Sequence, residues 1–256
     1  DGTQPILGYS DAEHLRPILN TASSYDPKNP YANRDPRFYA SVYYNGAIRY
    51  LDQPNGDVVE TYVGGNCGIS DKVTDIRYTR TGYYMRKFNN FKSGIGQDAD
   101  GLMRIFRLAE LYLNFAEAAY QAVGPDGQVA SKVGAEALSA RDAVNKIRVR
   151  AGIPALSSGM SKDSFEKRYR NERRVELAFE EHRFFDVRRW KILNETDDFV
   201  TGMKIVKEED GTFTYNRIKL ASRGTNADKY LLYPIKQTEV AKMLKHTGAN
   251  WQNPGW

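Results

Sequence analysis

Apolar residues recur every three to four positions in the second half of the chain, the spacing that lines them along one face of a helix. From Leu102 to Val123 the stripe is Leu108, Leu111, Phe115 and Ala119, beside a polar stripe of Glu110, Asn114 and Glu117. Gly124-Pro125 ends it. Ala135 to Ala151 repeats the design with Ala140, Val144, Ile147 and Ala151, closed by Gly152 and Pro154. Asp163 and Glu166 have the spacing of a capping box. They predict the start of a helix whose signature part, from Asn171 to Trp190, reads as one long unbroken element.

Elsewhere the pattern shortens or breaks. Pro27, Pro30 and Pro36 hold their preceding residues extended, and Ser10 to Leu19 predicts a short amphipathic turn capped by Ser10 or Asp11. Two β-prone runs, Phe38 to Tyr44 and Ala47 to Tyr50, flank Asn45-Gly46 and predict a hairpin. A second hairpin is predicted around Asp210-Gly211, between Lys204–Lys207 and Phe213–Leu220. Tyr230 to Pro234 reads as an extended piece docked on the helices, and Thr238 to Leu244 as a last helix. The chain therefore divides into a loop- and aromatic-rich segment, 1–100, and a helical region, 101–256.

Charge changes the reading of the signature helix. Glu172, Glu176 and Glu180 fall at i, i+4 and i+8, on one face, where like charges repel by roughly 0.2–0.5 kcal/mol per exposed pair. The same segment carries Arg168, Arg173 and Arg183 at pairing distance, and Arg183 and Arg189 bracket Asp186. Glu172, Arg173, Glu176, Glu180, Arg183, Asp186 and Arg189 are expected to form a structural ion network, with Arg107 and Arg148 as further cations. A di-iron site needs Glu-x-x-His on two helices. Position 179, three before His182, is Phe179, so no metal is expected. Arginine at matching spacing also favours ion pairing over a glycosidase's pair of catalytic carboxyls. No nucleophilic triad, phosphate-cradling loop or dinucleotide fingerprint is present, so neither an enzyme nor a cofactor is expected.

Bulk composition excludes little more. The chain has 256 residues, 41% hydrophobic and 27% charged, which suits an ordinary globular protein. Its net charge of +5 comes from 37 basic residues dispersed among 32 acids. No nucleic-acid motif accompanies that charge, and no such partner is expected. A single cysteine, Cys67, rules out an internal disulfide and a Cys-based zinc site. No apolar run approaches the roughly 20 residues of a membrane helix.

The string Glu172-Arg173-x-x-Glu176-Leu177-x-x-Glu180-x-x-Arg183-x-x-Asp186-x-x-Arg189-Trp190 resembles the signature of the SusD/RagB family. Arg107 to Ala118, Asn145 to Gly152, and Tyr233-Pro-Ile with Gln252-Asn-Pro-Gly-Trp256 resemble the same family in the same order. Asp35-Pro-Arg37 and Thr81 to Phe88 fit its middle region. The departures are Glu181 where Gly is usual, Lys236 where a second Pro is common and Trp256 where Tyr is common. The resemblance implies a mainly α fold of tetratricopeptide-like helical hairpins with long loops and small β-hairpins. It implies capture of oligosaccharide or polysaccharide nutrients at the cell surface for a SusC-like TonB-dependent transporter in the outer membrane. A lipid anchor would lie upstream of Asp1. The alternatives are a peptide-binding member of the family and a helical-hairpin scaffold for protein partners.

The resemblance also guides the choice of ligand residues. Ten of the chain's seventeen tyrosines fall between Tyr25 and Tyr84. Sugar rings present apolar C–H faces that stack on tyrosine, while Asn and Asp satisfy the hydroxyls. Tyr44, Tyr50, Tyr62, Asn66 and Asp71 are the expected glycan-binding residues.

Overall fold

The computed structural model describes residues 3–49, 57–68, 78–90, 99–101, 104–130, 136–196, 198–223 and 228–256. Its first elements are two short strands, Ile6–Tyr9 (β1) and Pro17–Leu19 (β2), paired antiparallel. This corrects the amphipathic turn expected over Ser10 to Leu19. Asp11 does cap there: its carboxylate accepts the Leu15 and Arg16 amides and so closes the connection between the strands.

The hairpin expected across Asn45-Gly46 also gives way. Pro36–Ser41 is a short helix (α1), with Asp35 as N-cap and Pro36 in the first turn. Val42–Tyr43 (β3) then pairs with Tyr84–Met85 (β4), far along the chain. The Asn45-Gly46 turn itself forms, with Gly46 at φ +90° and the Ala47 amide donating to the Tyr44 carbonyl. Beyond it, residues 46–49 pair with residues 57–59 instead of with the run that precedes the turn.

Leu108–Val123 (α2) follows, then Gln128–Val129 (β5) pairing with Leu138–Ser139 (β6), and Ala140–Arg150 (α3). Ser139 caps α3 by accepting the Asp142 amide. The helix ends in a Schellman motif: Gly152 sits at φ +73°, and the Ile153 amide reaches back to the Arg148 carbonyl. Of its expected apolar stripe, Ala140, Val144 and Ile147 are fully buried, whereas Ala151 is the half-buried C-cap. That of α2 holds in part: Ala119 is buried and Phe115 packs against the core, but Leu108 and Leu111 are exposed, and Ala109, Leu113, Ala116 and Tyr120 complete the core face. Alanines on the facing sides of α2 and α3 let the two backbones approach closely.

Lys162–Glu176 (α4) lays Phe165 and Tyr169 into the same core. Each such fully buried ring stabilises by about 2–3 kcal/mol. Its cap is Ser161, which accepts the Ser164 amide, and not the expected Asp163–Glu166 box. The expected unbroken helix to Trp190 is also corrected, because α4 stops at Glu176. Phe179 and Glu181 adopt left-handed backbone at φ +65° and +64°, and His182–Arg189 (α5) starts afresh.

The hairpin around Asp210-Gly211 forms as predicted and is longer, Phe199–Lys207 (β7) against Phe213–Ser222 (β8). The 79–84 turn packs on β7 at Gly202, where a Cβ would lie 2.9 Å from the Thr81 Cα. The expected extended piece from Tyr230 instead begins in a 3-10 turn, Asp228–Leu231, docked on α5 through an Arg188 Nε bond to the Tyr230 carbonyl. Gln237–Thr247 (α6) is the last helix. The fold is mainly helical with small antiparallel hairpins, and among the described residues no helix is long and apolar enough to cross a membrane.

Candidate ligand-binding site

A cavity of about 550 Å³ opens between α1, the 58–62 segment and the end of the β7–β8 hairpin. Its walls are aromatic. Tyr31, Tyr39 and Tyr44 come from the segments around α1, Tyr62 from the following loop, and Phe213 and Tyr215 from one face of β8. These rings pack as a set. Tyr31 and Tyr44 have centroids 4.7 Å apart, Tyr31 meets Tyr215 edge-on at 5.5 Å, and Tyr62 lies 5.6 Å from Phe213. Polar groups stand among them: Asn29, Asn45, Glu60 and Lys207. The Lys207 ammonium sits over the Tyr62 ring at 5.3 Å.

The backbone dictates which rings face inward. Tyr43 and Tyr44 point to opposite sides of an extended segment, so Tyr44 enters the cavity and Tyr43 leaves it. Phe213 and Tyr215, two apart on β8, share one face, and their register partners Lys207 and Ile205 fix the depth of each. Tyr39 donates its hydroxyl to the Tyr31 carbonyl at 2.6 Å, which locks α1 against the 29–32 turn. Burial raises the phenols of Tyr31, Tyr44 and Tyr215 above their ordinary range. They stay neutral at physiological pH, with hydroxyls able both to donate and to accept.

Of the residues the sequence singles out, Tyr44 and Tyr62 line this cavity. Asn66 does not. Its Oδ1 accepts the Glu60 amide and its Nδ2 donates to the Val58 carbonyl, so it braces the wall from behind. Tyr50 and Asp71 lie outside the described residues. Tyr31, Tyr39, Phe213, Tyr215, Glu60 and Lys207 were not anticipated. The alternation of Phe213 and Tyr215 within a predicted strand is the one signal that could have suggested a shared face.

The carboxylates of the signature segment form the support for this region. Arg37, from α1, reaches Glu172 at 2.5 Å and Glu176 at 2.9 Å, and Asp35 holds the same guanidinium at 2.7 Å. Arg148 on α3 pairs with Glu172, and Arg150 and Arg107 with Glu176. Glu180 takes Arg107 and Lys87. Asp186 is held by Arg173 at 2.7 Å and Arg189 at 3.0 Å. Glu117 receives Arg189, the Trp190 indole and the Tyr169 hydroxyl. The network thus includes six of the seven expected members, but the cations that neutralise Glu172, Glu176 and Glu180 come mainly from other elements. Arg183 is the correction: among the described residues it pairs with no carboxylate, and burial together with nearby Arg174 lowers its pKa.

Burial alone would raise Glu176, but Arg107, Arg37 and Arg150 overcome it and bring the carboxyl down to about 2. Glu180 is lowered as well, its burial outweighed by Arg107 and Lys87. Carboxyls held ionised in this way are poor general acids. Their arrangement fixes α1, the loop after β4, α2, α3 and α4 to one another.

The family model described as the SusD family matches residues 18–256. No curated protein matches the sequence. Proteins of that family are nutrient-binding proteins associated with the outer membrane, not enzymes. By a match that spans nearly the whole sequence, the chain belongs to the SusD family.

Proposed function

We propose that the aromatic cavity binds an oligosaccharide at the outer-membrane surface and presents it to a SusC-like TonB-dependent transporter. The observation that carries this reading is the set of Tyr31, Tyr44, Tyr62 and Tyr215 around one open cavity with Asn29, Glu60 and Lys207 among them. Pyranose rings stack their C–H faces on such rings, and the polar groups supply paired hydrogen bonds to hydroxyls. A volume of about 550 Å³ suits two or three sugar units better than an extended polymer threaded through the protein. The ion network then serves as a rigid frame for loops that carry the ligand.

Affinity electrophoresis against a panel of plant and host polysaccharides tests the reading. Retardation by one glycan, abolished in Tyr44→Ala and Tyr62→Ala, is expected. Retardation that survives both substitutions would place the sugar elsewhere, and retention by peptides alone would replace the ligand class.

A further inference from the structure

On the other side of the 36–49 segment lies a second cleft, of about 410 Å³, whose character is electrostatic. Arg37, Arg86, Lys87, Arg104, Arg107 and Arg150 line it, and Glu176 is the acid among its lining residues. Much of this charge is already balanced. Arg37, Arg107 and Lys87, with Arg148 behind them, are spent on Asp35, Glu172, Glu176 and Glu180, and Arg150 is engaged through one nitrogen. Arg86 and Arg104 are not.

Arg86 is fixed by neutral partners: its Nη1 donates to the Tyr39 carbonyl at 2.9 Å, and its guanidinium lies over the Tyr43 ring at 5.4 Å. Both contacts orient the group and leave its charge in place. Arg104 is exposed, and among the described residues it meets no carboxylate. Arg150 spends one nitrogen on Glu176, with its side chain 59% exposed and the rest of its fork open. Three guanidinium groups with spare donors therefore face a cleft whose carboxylates are already saturated. Such a fork geometry matches a planar or tetrahedral oxyanion, which a guanidinium binds through two parallel N–H donors.

We propose that this cleft is a binding site for an oxyanion, a carboxylate, sulfate or phosphate group, held by Arg86, Arg104 and Arg150. The site stands on its own charge balance and does not depend on what occupies the aromatic cavity. The oxyanion can arrive free in solution or as a substituent of an acidic sugar, and the two sources are separable by experiment.

The test is isothermal titration of the chain with inorganic sulfate, inorganic phosphate, glucuronate and a sulfated oligosaccharide, at ionic strength held constant with sodium chloride. Saturable one-site binding of at least one probe is expected. Because each charge-assisted pair is among the stronger hydrogen bonds, affinity should fall about tenfold or more in R104Q and in R86Q/R104Q. Lys242→Gln, on the exposed face of α6, should bind like the parent. Binding of the inorganic anions would assign a free ion, and binding of the sulfated oligosaccharide or glucuronate alone would assign an acidic sugar. R104Q removes a solvent-exposed side chain, so its circular dichroism should match the parent and any loss is read as loss of the site. No binding by any probe, or equal binding in R86Q/R104Q, would overturn the proposal.

Discussion

Lys87 Nζ donates to the backbone carbonyls of Glu176, at 3.0 Å, and of Ala178, at 3.1 Å, so a side chain from the loop after β4 closes the end of α4. The last carbonyls of a helix have no partner within it, and a cation there satisfies them and meets the negative end of the helix dipole. The same ammonium also pairs with Glu180. Arg107 Nη2 also donates to the Glu176 carbonyl, so Lys87→Met should strip the half-buried Ala178 carbonyl of its donor and Glu180 of one of its two cations, and cost about 2 kcal/mol. In a chain of this size that corresponds to a Tm lower by roughly 4–8 °C, measurable by scanning calorimetry. An unchanged Tm would mean that water caps α4 equally well.

Glu176 sets the acid limit of the fold. Its carboxyl is held at about 2 against an ordinary 4.5, so the folded state keeps it ionised where the unfolded chain takes up a proton. The stability this supplies is complete above the ordinary value and is lost as pH falls from about 5 toward 2, at about 3 kcal/mol in total. The lowered carboxyls of Glu180 and Glu117 add losses of the same sign. Urea denaturation at pH 7 and pH 3 should show the fall. Glu176→Gln should lower stability at pH 7 by about 3 kcal/mol and flatten the pH dependence. A variant with the parent's pH slope would contradict the role given to Glu176.

Glu181 is strained where it stands. It is exposed, makes no capping bond, and occupies left-handed backbone at φ +64° between α4 and α5. A non-glycine residue there costs about 1 kcal/mol. Glu181→Gly should raise Tm by roughly 2–4 °C, and a decrease would show that its side chain contributes more than its backbone costs.

That residue also shows how much was legible beforehand. The row of signature carboxylates and the Arg189–Asp186 pair are legible from spacing, as are most of the α3 stripe and the Asp210-Gly211 hairpin, whereas Arg37, Lys87 and Arg150 reach the carboxylates from other elements and are not. The break in the signature helix is not legible from periodicity, although the family resemblance implies Gly at the position of Glu181, the residue that tolerates left-handed backbone. The expected α2 stripe holds only at Phe115 and Ala119, because alanines are weak apolar signals and Ala109 and Ala116 displace Leu108 and Leu111 from the packed core. In the site, Tyr44 and Tyr62 follow from local composition guided by the family resemblance. Phe213 and Tyr215 do not, because they meet those rings only through a hairpin far along the chain. Asn66 has the right chemistry for a sugar, but its donors and acceptor are consumed by the loop it braces.

The most direct test of the central claim is the affinity of Tyr215→Ala for whichever glycan retards the parent chain, measured by isothermal titration beside Tyr9→Ala. Tyr215 belongs to the cavity wall through β8, whereas Tyr9 sits on β1 and stacks on His14. Loss of one stacking ring should weaken binding about tenfold, with Tyr9→Ala unchanged. Parent-like affinity in Tyr215→Ala, or equal weakening in both, would contradict a ligand seated in the aromatic cavity.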